Sequence, residues 1–185
     1  MPPRARCDGW LVSHILLVGS VIDPLSIELT TRKGCRIDNA PGDYRDPLSM
    51  RAAHDIHRNA FPDGRILLRA LDYHYNCVGM VFANRRTAID SADVERILVE
   101  DEYEQCANLH VAARGDVAIY RRDGEVCHVG LVIEATPDLG GGGPTKIRVL
   151  SKWGRDGEYE HDVDDVPPLY GRLAEVWTFR RGMTR

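Results

Sequence analysis

Apolar and polar residues alternate through the second half of the chain in a pattern that predicts a β-hairpin. In GDVAIYRRDGEVCHVGLVIE, two runs rich in β-formers lie on either side of Asp123-Gly124, a dipeptide that favours a two-residue hairpin turn. The first strand is expected at 117–121 and the second at 126–134. Two more strands are expected later in the chain, at 146–151 and 173–179.

Helical spacing occurs in the first half of the chain. The segment 77–85 has apolar residues at helical intervals, and Asn76 can cap its first turn. A second helix is expected after Asp90 or Ser91, with a buried stripe formed by Val94, Ile97 and Leu98. A shorter helical pattern covers 49–59. Because these helices precede an antiparallel sheet, the order predicts an α+β domain.

The N-terminal segment 1–62 is interpreted as an extension of unassigned role, packed on a main domain at 63–185. Its apolar stretch 11–29 reads as two strand-like pieces around a turn. Arginines before the run 10–22 resemble a signal peptide, but Asp8, His14 and the lack of a small-residue cleavage site argue against one. A cytoplasmic location is therefore favoured, with export kept as the alternative.

The composition of the chain limits the kinds of partner that we expect it to bind. A chain of 185 residues with a net charge of −4 has the size of one domain and no broad attraction to nucleic acid or to a membrane surface. Its five cysteines have neither paired nor zinc-site spacing, so we expect free thiols, no metal and no cofactor. The acidic segment 158–165 is interpreted as a solvated loop, with metal binding as the weaker alternative. Composition leaves the oligomeric state open.

Cys77 and His128 are the residues best placed for chemistry. A helix N-terminus favours a thiolate and offers free N–H groups to an oxyanion. A histidine among valines in a strand is a costly buried polar ring unless it has a partner. Alternation places His128 with Val126, Gly130 and Val132 on one face, against which the Cys77 helix could pack. The competing interpretation is a small core cysteine and a structural histidine.

Ordered motifs between Tyr73 and Ser151 favour the catalytic interpretation. NCVGMVF, then GDVAIY, then HVGLVI and a closing strand resemble the NlpC/P60 family of papain-like thiol peptidases, and more loosely its CHAP relatives. The resemblance implies N-terminal helices packed on a small antiparallel sheet, with Cys77 as nucleophile and His128 as base. Asn76 stands where the family has an acidic residue, and Val78 where it has a serine.

The resemblance also implies further site residues and a substrate class. A polar residue that orients the histidine falls near Ser151, which otherwise reads as an ordinary strand end beside Trp153. Tyr73 and Tyr75 could help hold a substrate carbonyl, and Cys127 reads as core. The expected activity is hydrolysis or transfer at a peptide or amide bond, such as that of a cell-wall stem peptide. A non-catalytic binding module and a thiol acyltransferase or deamidase remain alternatives.

Overall fold

The computed structural model describes residues 26–40, 52, 55, 59, 66–69, 72, 74–136, 146–154 and 157–179. Within these ranges β-strands predominate, and the two α-helices whose two ends are both described are short. The elements in chain order are β1 (Asn39–Ala40), β2 (Ile66–Arg69), α1 (Cys77–Phe82), β3 (Ala88–Ile89), α2 (Val94–Glu100), β4 (Glu104–Gln105), β5 (Val117–Arg122), β6 (Glu125–Thr136), β7 (Lys146–Lys152), β8 (Glu158–Asp162) and β9 (Arg172–Thr178).

Seven strands form one antiparallel sheet in the order β2-β8-β7-β6-β5-β9-β4, and β1 pairs with β3 in a separate small sheet. The predicted fold class, an α+β domain with N-terminal helices packed on a small sheet, is therefore wrong. The chain as described is mainly a large antiparallel sheet with short helices against it.

Two local features explain the error. Helix α1 has only six residues, because Asn84 and Arg85 that follow it have φ of 49° and 67°, outside the right-handed helical region. The acidic segment interpreted as a loop contains β8, in which Tyr159 and His161 are buried. Charged residues at Glu158 and Glu160 conceal the alternation expected of a strand.

Other sequence predictions are confirmed. The hairpin of β5 and β6 turns at Asp123 and Gly124, which both have positive φ, as a type I′ turn requires. Helix α2 follows a 3₁₀ turn capped by the Asp90 side chain and buries the expected stripe. Within the predicted helix 49–59, the described residues Ala52, Asp55 and Asn59 are helical. Of the two strand-like pieces predicted over 11–29, the described residues 26–29 are not in a strand, so the second piece is wrong there. The rest of that stretch, and most of 49–59, lie outside the described residues.

The described part of the N-terminal segment contacts the rest of the chain. Ile37 belongs to the main apolar cluster, and Asn39 pairs with Ile89 between β1 and β3. Cys35 is disulfide-bonded, so the expectation of free thiols throughout is wrong at this position.

A β-bulge at Cys127 determines which side chains of β6 lie on which face of the sheet. Tyr120 pairs with His128, but the next residue of β5, Arg121, pairs with Val126, so Cys127 is the extra residue. The insertion breaks the alternation, because Val126 and Val129 now share a face while His128 is on the other.

The two faces of the sheet have different neighbours. The helix face carries the apolar side chains of β5 and β6 that pack against α1 and α2, namely Val117, Ile119, Val126, Val129 and Leu131 against Val78, Ile97 and Leu98. The aromatic face carries His128, Ser151 and His161 among rings, namely Tyr120, Trp153, Tyr159 and Tyr170. Full burial of each apolar side chain contributes roughly 1.5–3 kcal/mol, so both faces stabilise the sheet.

Candidate active site around Cys77

Asn76 determines where the helix carrying Cys77 begins. Its Oδ1 accepts hydrogen bonds from the backbone N–H of Gly79 at 2.9 Å and of Ile89 at 3.2 Å, and its Nδ2 donates to the Ile89 carbonyl at 2.7 Å. The hydrogen bond from Gly79 is the N-cap of α1, and the two hydrogen bonds with Ile89 connect the start of α1 to β3. Cys77 is consequently held as the first residue of α1.

The Cys77 sulfur lies among backbone N–H groups on the helix face. Burial raises the pKa of this thiol, while hydrogen bonds from the backbone N–H groups of Val129, Val78 and Cys77 itself, and then the charge of Lys152, act to lower it. The residue as a whole is only partly buried. A thiolate or oxyanion at this position would therefore meet preorganised donors, although burial disfavours ionisation of the thiol at rest.

His128 is fully buried on the aromatic face. Its ring stacks on Tyr170 with centroids 4.2 Å apart and lies 5.4 Å from the Tyr120 ring. Neither Nδ1 nor Nε2 has a hydrogen-bond partner among the described residues. Burial, and secondarily the nearby His161, lower the pKa of His128 from 6.5 to about 3, so the ring is neutral at pH 7.

The structure does not join Cys77 to His128 by a hydrogen bond. Cys77 packs with Val129 on the helix face, whereas His128 pairs with Tyr120 on the aromatic face. The expectation that α1 packs against the face carrying His128 is wrong. His128 shares its face with Gly130 and Val132, as alternation predicts, but α1 packs against the opposite face, and the bulge at Cys127 moves only Val126 to that face. The backbone N–H of Val129, the residue after His128, nevertheless acts to lower the pKa of the Cys77 thiol.

Ser151 shares the aromatic face with His128 but bonds other groups. Its Oγ lies 2.7 Å from His161 Nε2 and accepts a hydrogen bond from Trp153 Nε1 at 2.9 Å. His161 Nδ1 lies 2.7 Å from the Asp162 carbonyl, which can only accept, so Nδ1 donates there and Nε2 accepts the Ser151 hydroxyl proton. Sequence reasoning missed His161, because the charged residues of β8 concealed the strand.

A charged cluster, Tyr75, Arg85, Lys152 and Glu158, lies beside the start of α1. The Tyr75 hydroxyl donates to Glu158 Oε1 at 2.6 Å, and Arg85 binds both oxygens of that carboxylate at 2.6 and 2.9 Å. Lys152 Nζ lies 5.3 Å from the centroid of the Tyr75 ring. Tyr75, the predicted substrate-binding residue, is itself buried in this cluster; Tyr73 lies outside the described residues.

Comparison with protein-family models, with curated proteins and with solved structures finds no match to this chain. Among the described residues, no three histidine, cysteine or acidic side chains are grouped as a metal site would require. No helix in the described ranges is long and apolar enough to cross a membrane.

Proposed function

We propose that this protein is a cysteine hydrolase, a peptidase or amidase, in which Cys77 is the nucleophile. The observation that carries the proposal is the position of Cys77 as the first residue of α1, where the backbone N–H groups of Val129 and Val78 act to lower the pKa of its thiol. Such donors stabilise the charge that develops when a thiolate attacks a carbonyl. The resemblance of the motifs around Cys77 and His128 to NlpC/P60 peptidases supports the same activity.

The reaction proceeds in two steps. The Cys77 thiolate attacks the carbonyl carbon, the C–N bond breaks as the leaving amine takes a proton, and an acyl thioester remains on the sulfur. Water then adds to the thioester carbonyl, the S–C bond breaks, and the carboxylic acid is released with regeneration of the thiol. An amine or thiol in place of water would make the same intermediate serve acyl transfer, while a primary amide substrate would make the reaction a deamidation.

His128 is proposed as the group that takes the thiol proton and returns it to the leaving amine. The His128 side chain lies on the opposite face of β6 from Cys77, so its ring reaches the sulfur only if the β6 backbone rearranges at the Cys127 bulge. One observation supports such a rearrangement: neither ring nitrogen of the buried His128 has a partner among the described residues. A buried unsatisfied polar group costs roughly 1–3 kcal/mol, which lowers the free energy needed to leave the position.

The disulfide at Cys35 bears on the location of the protein. Disulfides persist mainly in oxidising compartments, so this bond supports the exported alternative over the cytoplasmic one. An exported thiol hydrolase would meet peptide and muropeptide amides, the substrates that the motif resemblance suggests.

Hydrolysis assays with matched cysteine variants test the proposal. Peptide, isopeptide and muropeptide amides are incubated with the native chain, with Cys77→Ala and with Cys127→Ala. Cys127 is a suitable control because its thiol lies on β6 next to His128, is partly exposed, and contacts the Glu125 carbonyl. We expect hydrolysis by the native chain and Cys127→Ala, and none by Cys77→Ala. Equal rates for the two variants would contradict the assignment of the nucleophile.

A second candidate function is a binding module that binds a ligand beside α1 without chemistry. It is favoured by the raised pKa of the Cys77 thiol and by the lack of a Cys77–His128 hydrogen bond. A chain that binds a peptide amide equally well as the native form and as Cys77→Ala, but hydrolyses it in neither form, would establish this alternative.

A further inference from the structure

We propose that the segment 163–171 is a strap that covers His128 at neutral pH and opens when that ring takes up a proton. The strap lies between β8 and β9 and contains the 3₁₀ turn Pro168–Tyr170. The inference concerns the aromatic face of the sheet and does not depend on any reaction at Cys77.

The strap places an aromatic ring directly on His128. The centroids of the Tyr170 and His128 rings are 4.2 Å apart, and the two ring planes meet at an angle of 22°. Tyr120 approaches the same ring from β5, with centroids 5.4 Å apart. His128 has 0% exposure, and neither ring nitrogen has a hydrogen-bond partner among the described residues. The access of water to this ring therefore depends on the position of the strap.

The enclosure suits a neutral imidazole and disfavours a charged one. A protonated ring would hold two N–H donors and a positive charge, and the described residues offer them no acceptor in this arrangement. The attraction of a cation to the Tyr120 and Tyr170 rings offsets only part of the hydration that is lost. Burial, and secondarily the nearby His161, accordingly lower the pKa of His128 to about 3. Protonation therefore favours a conformation in which water reaches the ring.

The titratable groups around the ring do not offset its charge in acid. Tyr120 faces the ring from β5 and Tyr170 from the strap, while His161 of β8 lies near it. None of these three side chains becomes negative below neutral pH, and a proton on His161 would add a second positive charge. Among the described residues no carboxylate contributes to the pKa of His128, and Asp164 of the strap instead raises the pKa of Tyr120. A proton on His128 is therefore uncompensated while the strap is closed.

The strap can open without breaking the sheet. At its start the Val163 N–H donates to the Ile147 carbonyl at 2.9 Å, and the Val163 carbonyl accepts a hydrogen bond from the Tyr120 hydroxyl at 2.9 Å. At its end Gly171 lies close to β5, where a Cβ would be 2.2 Å from the Arg121 carbonyl oxygen. Between these fixed ends none of the described strand pairings involves the strap, whereas β5 and β6 are paired with each other and with β9 and β7. Opening of the middle of the strap consequently costs less free energy than separation of the strands.

An exposed hydrogen bond also holds the middle of the strap. Arg122 Nη1 donates to the Leu169 carbonyl at 3.1 Å, and the Leu169 side chain is exposed. Arginine keeps its charge throughout the acid range, so this contact does not change as His128 titrates. A variant that lacks it loosens the strap to the same degree at every pH, which separates a weaker strap from a pH-sensitive one.

Amide hydrogen exchange in the full chain tests the inference, measured by NMR at pH 7.5 and 5.5 and corrected for intrinsic rates. The reporters are the N–H groups of Tyr170 and Gly171, which donate to the Pro167 and Pro168 carbonyls at 2.9 and 3.1 Å. A single 3₁₀ turn does not persist without its packing, so these amides exchange once Tyr170 leaves His128. We expect their opening equilibrium to rise about tenfold from pH 7.5 to 5.5, because the exposed ring regains an ordinary pKa of about 6.5.

One reference amide and two variants complete the design. The reference is the Val132 N–H, which donates to the Asp116 carbonyl at 2.8 Å and should not respond to pH over this range, since only the strap opens. His128→Phe keeps a ring beneath Tyr170 but cannot take up a proton, so its reporters should lose their pH dependence. Arg122→Met should accelerate the reporters by the same factor at both pH values.

Three results would overturn the inference. The first is reporters that do not respond to pH in the native chain. The second is acceleration of the Val132 amide together with the reporters, which global unfolding would produce. The third is a pH response that persists in His128→Phe, which would assign it to His161; His128→Leu replaces this variant if it does not fold. Exchange is measured without substrate, so each result is independent of the proposed hydrolase.

Discussion

The two faces of the sheet hold the two halves of the expected catalytic pair in different environments. On the helix face, Cys77 lies among backbone N–H donors and beside a buried ion cluster. On the aromatic face, His128 is enclosed by Tyr120 and Tyr170 with no polar partner among the described residues. The difference teaches that backbone donors act to lower the pKa of the thiol against the larger effect of burial, whereas the proposed base lies on the other face of the sheet.

Replacing His128 by phenylalanine should have the largest effect. Phenylalanine can fill the stack against Tyr170 without a buried unsatisfied nitrogen, so stability should be preserved. If the ring reaches Cys77 during turnover, amide hydrolysis should fall by roughly 10²–10⁴-fold. Activity assays paired with thermal melts separate the two effects, and a stable variant with native activity would restrict His128 to a packing role.

Substituting Gly79 by alanine should cost more stability than most changes on either face. A Cβ at this position would lie 1.7 Å from the Thr87 carbonyl oxygen, and backbone cannot move aside as a side chain can. Overpacking of this kind costs about 3 kcal/mol. At Gly130, a Cβ would meet the Val149 side chain at 2.4 Å, so alanine there should cost less. Urea denaturation compares the two, and the reverse order would mean that α1 is not anchored tightly against β3.

Replacing Ser151 by alanine tests how much the hydrogen bonds of the aromatic face contribute to stability, and it leaves His128 unchanged. The change leaves His161 Nε2 and Trp153 Nε1 without their described hydrogen-bond partner, which should cost about 2 kcal/mol of folding free energy. Urea denaturation measures that loss. Because Ser151 does not bond His128, hydrolytic activity per folded molecule should remain native; a selective loss of activity would instead support the orienting role predicted from the sequence.

Acid should destabilise the aromatic face modestly. The folded pKa of His128 is about 3 and its unperturbed value is 6.5, so the neutral ring contributes its full stability above about 6.5. That stability is lost as the pH falls from 6.5 towards 3, by up to about 1.4 kcal/mol per unit. Denaturation at pH 7.5 and 5.5 should therefore differ by about 1 kcal/mol more for the native chain than for His128→Phe. Equal differences would mean that His128 is not buried in neutral form.

Local sequence patterns correctly predicted the elements that begin or end at a recognisable turn or capping residue. Asp123-Gly124 specified the β5–β6 hairpin, and the Asp90 cap with its apolar stripe specified α2, because each depends on a few neighbouring residues. Asn76, as a capping residue, likewise predicted that α1 begins at Cys77.

The face assignment and the fold class required information that short windows lack. The face against which α1 packs has no signature within β6, and the bulge at Cys127, which moves Val126 to that face, has none either. Strand β8 is rich in acidic residues, which predicted a solvated loop, whereas its Glu158 is buried and bound by Arg85. The burial of Lys152 could not be predicted for a similar reason, because it depends on neighbours that are distant in sequence.

Acid-quenched peptide mapping during turnover of a peptide amide tests the central claim most directly. We predict an acyl group in thioester linkage on Cys77 and none on Cys106 or Cys127, with the adduct lost in Cys77→Ala and retained in Cys127→Ala. Turnover that proceeds without acylated Cys77, or that survives in Cys77→Ala, would contradict the account.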